Sequence, residues 1–95
     1  MNIEEFRQQN IQQIKGYSLA LQALWYDYQE NWDKSHQLID TASDADCAWV
    51  HAYLHRKEGD LWNARYWYRR SGKLESSISL KEERQQIAEA LLKQI

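Results

Sequence analysis

Three groups of side chains in this chain have the types and spacing that chemistry uses. His51 and His55 stand four residues apart, so on a helix they share one face and can offer two imidazole nitrogens to one metal ion. His36, Glu58 or Cys47 could supply a third ligand. The pair lacks the intervening glutamate of a metalloprotease helix, and the sequence nowhere groups three ligands. Packing is therefore the plainer expectation for both histidines, with no cofactor. The competing expectation is a small-molecule or metal-dependent enzyme using His51 and His55 with Arg65 or Arg69.

The second group is Trp62, Arg65, Tyr66, Arg69 and Arg70, a basic and aromatic stripe at helical spacing. Such a stripe can stack on RNA bases and meet phosphates. It can also pair with a second copy, or be covered by the last helix while its arginines meet Glu82, Glu83 or Glu89. Covering is the first expectation and a homodimer the second. Nucleic acid comes last, because the net charge is −2 and no RNA-binding motif is present. The third group is Trp49, Tyr53 and Arg56, at i, i+4 and i+7, with Lys57 beside them. Aromatic rings next to a guanidinium make a contact surface for a protein or peptide partner. Cys47 lies near a helix start, where a thiol pKa can fall, but a buried core position suits it better. No glycine-rich phosphate loop, nucleophile elbow or dense carboxylate pair appears, so a non-catalytic protein is expected.

The elements that hold these groups are expected to be helices. The 95 residues include no proline and only three glycines, few β-branched residues and many Ala, Leu, Gln, Glu, Lys and Arg. Five Trp, six Tyr and one Phe give a short chain enough large side chains to fill one core. A single cysteine excludes an internal disulfide and suits a reducing, cytoplasmic setting. No apolar run approaches the roughly 20 residues of a membrane span. Charge is uneven: residues 1–46 carry eight acids and three bases, and residues 47–75 carry three acids and six bases.

The first helix is expected over Ile3–Lys15, capped by Asn2 with Glu5 three residues on, with Ile3, Phe6, Ile11 and Ile14 on its inner arc. A second, apolar almost all round, covers about Tyr17–Glu30. A third covers Trp32–Ala42 behind Asn31. Asp44 and Asp46 favour the start of a fourth, which ends at Glu58, where Gly59 can turn left-handed. Asp60 caps a fifth that ends at Gly72, with Trp67 and Tyr68 in the core. Ser79 and Glu82 open a last helix to about Gln94, with Leu80, Ile87, Ala88, Leu91 and Ile95 facing inward.

Helices two and three align with helices four and five at a shift of 29 residues. Ala23 meets Ala52, Tyr26 meets His55, Glu30-Asn31 meets Gly59-Asp60, Ser35 meets Ala64, Ile39 meets Tyr68, and Ala42 meets Ser71. A repeated helical hairpin buries its face by stacking on its neighbour. In Ala52, the Gly59-Asp60 turn, Ala64, Tyr68 and Ser71, the chain resembles the tetratricopeptide-repeat family over roughly residues 17–75. Glu30 and Ser35 stand where that family has glycine and alanine, its terminal proline is absent, and its usual period is about 34 residues. Residues 51–70 also resemble a block in short bacterial and fungal proteins, which brings no activity with it.

The resemblance implies an all-α, single-domain stack of antiparallel helical hairpins, 17–43 and 44–75, in a right-handed array. Segments 1–16 and 76–95 would be capping helices. It further implies a concave groove for an extended peptide, lined by Tyr17, Ala20, Leu24, Asp27 and Tyr28, then Asp46, Trp49, Tyr53, Arg56 and Lys57. With only two hairpins, a terminal helix filling that groove is the alternative.

Overall fold

A side-chain oxygen caps the start of every helix, and these caps set the element boundaries. In a computed structural model describing residues 1–95, Asn2 opens α1 (Ile3–Arg7), Asn10 opens α2 (Ile11–Ile14) and Ser18 opens α3 (Leu19–Tyr28). Asn31 opens α4 (Trp32–Ile39), Asp44 opens α5 (Ala45–Lys57), Asp60 opens α6 (Leu61–Ser71) and Ser79 opens α7 (Leu80–Leu92). There is no strand, so the chain is all-α. No helix is long and apolar enough to cross a membrane.

The helix expected over Ile3–Lys15 is in fact two short ones. Asn10 and Gln13 form a reciprocal capping box that restarts the helix, and its Gln13 N–H to Asn10 Oδ1 bond is 2.9 Å. The break frees Phe6 and Ile14 to enter the core from different directions, and it leaves Ile11 exposed. Ile95, expected to face inward, also lies outside, because α7 ends at Leu92.

Two helical hairpins follow, α3–α4 and α5–α6, with like turns. Asn31 N–H donates to Tyr26 O at 2.9 Å, and 29 residues later Asp60 N–H donates to His55 O at 2.9 Å. Glu30 takes φ +60° and Gly59 φ +87°, so both turns use the left-handed region. The glycine has no Cβ and adopts it without steric cost, whereas Glu30 does not. Where α3 and α4 approach, Ser35 Oγ donates to Ala23 O at 2.6 Å; the corresponding approach of α5 and α6 joins Ala52 and Ala64.

The main core gathers Phe6 and Ile14, then Leu21 and Leu24 of α3, Ile39 of α4, Val50, Tyr53 and Leu54 of α5, and Ile87 and Leu91 of α7. α7 therefore packs on α3, α5 and α1. It does not cover Trp62 and Tyr66, contrary to the first expectation from the sequence, because its apolar and charged side chains meet α3 and α5 instead. The α3–α5 face offers a continuous apolar surface together with buried charges that need partners. The outer side of α6 offers two rings among three arginines.

Candidate functional site

Four of the ten residues expected to line an open groove lie inside the molecule, and the other six are half-buried. Ala20, Leu24, Asp27 and Tyr53 are buried beneath α7. Asp27 is fully buried and accepts three hydrogen bonds: from Tyr53 Oη at 2.7 Å, Lys57 Nζ at 2.9 Å and an Arg84 guanidinium nitrogen at 3.2 Å. The Arg84 guanidinium also lies 4.1 Å from the centre of the Tyr28 ring. One turn away, buried Glu83 accepts from Arg56 at 2.9 Å and from the Tyr68 hydroxyl. Arg56 also donates to Ile78 O. Burial, then the carboxylate partner, raises the pKa of both tyrosines, so both phenols remain protonated donors. Tyr53, Arg56, Lys57 and Asp27 thus clamp α7 onto the hairpins. Trp49 and Tyr28 remain half-buried, and Lys73 sits 4.5 Å from the Trp49 ring centre. A shallow cleft between α1 and α7 is lined by Arg7, Tyr28, Arg84 and Leu92.

The stripe on α6 is exposed along its whole length: Trp62, Arg65, Tyr66, Arg69 and Arg70 all face solvent, Trp62 at 81%. Arg65 pairs with Glu75 at 3.2 Å, and Arg70 reaches the Tyr66 hydroxyl at 3.2 Å. The opposite side of α6 is interior, with Ala64 and Tyr68 buried and Trp67 half-buried. Cys47 is buried, and burial together with Asp44 pushes its thiol up to about 12, so it remains a neutral thiol.

The histidines form a cluster that spans two helices. His36 comes across from α4 to meet His51 and His55 of α5, and the three can each aim one ring nitrogen so that all lie within 4.8 Å of one another. His36 Nε2 and His51 Nε2 are 3.0 Å apart. Trp32 stacks on His36 at 4.9 Å and Trp67 stacks on His51 at 3.9 Å. Trp32 Nε1 donates to Leu54 O at 2.9 Å, which locks that indole. His55 Nδ1 meets Glu58 Oε1 at 2.7 Å, and Asp40 lies 3.8 Å from His36 Nε2. His51 Nδ1 is buried with no hydrogen-bond partner, an arrangement that costs about 1–3 kcal/mol. Burial, then His36 and His55, push the His51 pKa down to about 4, so the ring is neutral near pH 7.

Sequence reasoning placed His36 among three candidates for a third ligand and Glu83 among three acids for the arginines of α6, whereas Glu83 meets Arg56; it did not single out Trp32 or Arg84. The signal for the first was present: Trp32 and His36 repeat, on α4, the i, i+4 spacing of His51 and His55. Glu83 and Arg84 carried no local signal. No family model, no curated protein and no solved structure matches the chain.

Proposed function

We propose that this chain is a small non-catalytic interaction module, and that its contact surface is the outer stripe of α6. The observation that carries this proposal is Trp62: a ring 81% exposed at the start of an otherwise well-packed helix, followed by Arg65, Tyr66, Arg69 and Arg70 on the same stripe. Trp, Tyr and Arg are the residue types that dominate the energetics of protein contacts. The charge of the stripe calls for an acidic protein surface. The chain itself is a candidate source, since residues 1–46 hold eight acids and three bases, with Asp27 alone among those acids buried. Self-association is therefore the form of the proposal to be tested. A basic stripe docking on an acidic face is a head-to-tail contact, which forms rings or open chains rather than a two-fold dimer.

In the same proposal the two hairpins form a tetratricopeptide-like stack that α1, α2 and α7 cap, with the groove closed by α7. The matched turns at Glu30 and Gly59 and the paired close approaches, Ser35 to Ala23 and Ala64 to Ala52, support that arrangement. The single buried Cys47 suits a cytoplasmic setting.

Light scattering on a sizing column tests the contact. The wild type is expected to exceed the 11.4 kDa of one chain and to fall toward it as salt rises. Trp62→Glu should run as a single chain at all concentrations. A wild type that stays at one chain mass at low salt and high concentration would refute self-association. Retention of a single-stranded RNA by the stripe would point to the nucleic-acid class instead.

A further inference from the structure

We infer that His36, His51 and His55 form a three-histidine site for a divalent transition metal ion of the zinc type, joining α4 to α5. The inference goes beyond the α6 contact and rests on a different part of the molecule.

The donor set comes first. Neutral imidazoles suit Zn²⁺ and its neighbours Co²⁺, Ni²⁺ and Cu²⁺. Three such ligands around a tetrahedral ion, with metal–nitrogen bonds of about 2.0–2.1 Å, lie about 3.3 Å apart. The separation of His36 Nε2 and His51 Nε2, 3.0 Å, is already close to that edge, and all three ligand atoms fall within 4.8 Å. Binding one ion calls for side-chain rotations that close the remaining gap.

The supports come second. A metal-bound histidine commonly gives its other ring nitrogen to a carboxylate, which fixes the tautomer. His55 has this arrangement, with Nδ1 on Glu58 at 2.7 Å and Nε2 left as the donor. Trp32 and Trp67 hold the His36 and His51 rings from their outer faces, and the Trp32 bond to Leu54 O fixes one of those walls.

Access comes third. His51 is buried, but the His36 side chain is 23% exposed and that of His55 11%, so an ion can enter beside α4. Three protein ligands leave the fourth position to water, with the exposed Asp40 carboxylate at 3.8 Å from His36 Nε2. The alternative arrangement is a purely packed aromatic cluster. It accounts for the stacking, for the His36–His51 contact as one imidazole–imidazole hydrogen bond and for the His55–Glu58 bond, so metal uptake is what separates the two.

Isothermal titration of the chelator-treated wild type with Zn²⁺ tests the site, with Co²⁺ as an optical probe. The expected result is about one ion per chain, a dissociation constant on the order of 1 μM or tighter, and ligand-field bands of tetrahedral intensity for Co²⁺. Glu58→Gln should weaken uptake by roughly 10–100-fold, the usual effect of losing such a support. His36→Gln should weaken it further and abolish the Co²⁺ bands. Circular dichroism confirms that each variant is folded; if His36→Gln fails to fold, the exposed Glu58 still carries the test. The inference is overturned if the wild type takes up no Zn²⁺ below millimolar concentration. It is equally overturned if His36→Gln binds as the wild type does, for then only the His51–His55 pair of one helix would be chelating.

Discussion

Opposite sides of α5 carry two buried polar clusters, and they are satisfied in opposite ways. Toward α7, Asp27 accepts from Lys57, Arg84 and the Tyr53 hydroxyl, and Glu83 from Arg56 and the Tyr68 hydroxyl, so each carboxylate meets a cation and a phenol. Toward α4 and α6, the three histidines have no opposing buried charge, and His51 Nδ1 has no partner. A closed ionic cluster holds elements together and excludes ligands. A cluster of imidazoles with no opposing buried charge is one that, on our inference, a cation enters.

The largest expected effect tests the ionic side. Asp27→Ala would leave the half-buried Lys57 and Arg84 with only the exposed Glu30 carboxylate and should cost on the order of 3 kcal/mol in urea unfolding. A loss below about 1 kcal/mol would show that α7 is held by its apolar face alone. Next comes acid. In metal-free protein, His51 titrates at about 4 when folded against 6.5 when unfolded. The unfolded chain therefore binds more protons between those values, and stability should fall as pH drops from about 6.5 to 4 and then level off. At roughly 1.4 kcal/mol per unit the fall is about 3 kcal/mol. Equilibrium unfolding across that window checks it, and His51→Gln should flatten the curve.

Smaller again is Tyr68→Phe. It removes one donor from Glu83 while Arg56 remains, so about 1–2 kcal/mol should be lost with the fold unchanged. A much larger loss would mean that the hydroxyl and not the arginine secures that carboxylate. The smallest effect concerns neither cluster directly. Glu30→Gly relieves a left-handed turn but forfeits ion pairs at 3.8 and 4.0 Å to Lys57 and Arg84. A gain of up to about 1 kcal/mol in thermal melting is expected, because the carboxylate is mostly exposed and its pairs are weak.

What was legible in the sequence was local. The caps at Asn2, Asn31, Asp44, Asp60 and Ser79 bond as their spacing predicts, since a cap needs only its own first turn. Asn10 and Gln13 carry the same signature, but the run of apolar residues from Ile3 to Ile14 masks it. Which face α7 would cover was not legible. The outer stripe of α6 and the Tyr53 side of α5 are both aromatic and basic, and only three-dimensional packing shows which of them meets Glu83 and Arg84. The histidine site was half legible: His51 and His55 share a helix, whereas His36 joins them from a separate helix.

Glu83 and Arg84 are adjacent on α7, opposite in sign, and each enters a different buried pair. Rotating α7 by one residue one way would set Arg84 toward Arg56, and the other way Glu83 toward Asp27, a like-charge repulsion in either case. Sliding the helix by a turn would leave both unpaired. The two side chains thus specify a single docking register for α7, and they do so against a set of apolar residues (Ile87, Ala88, Leu91) that would accept several.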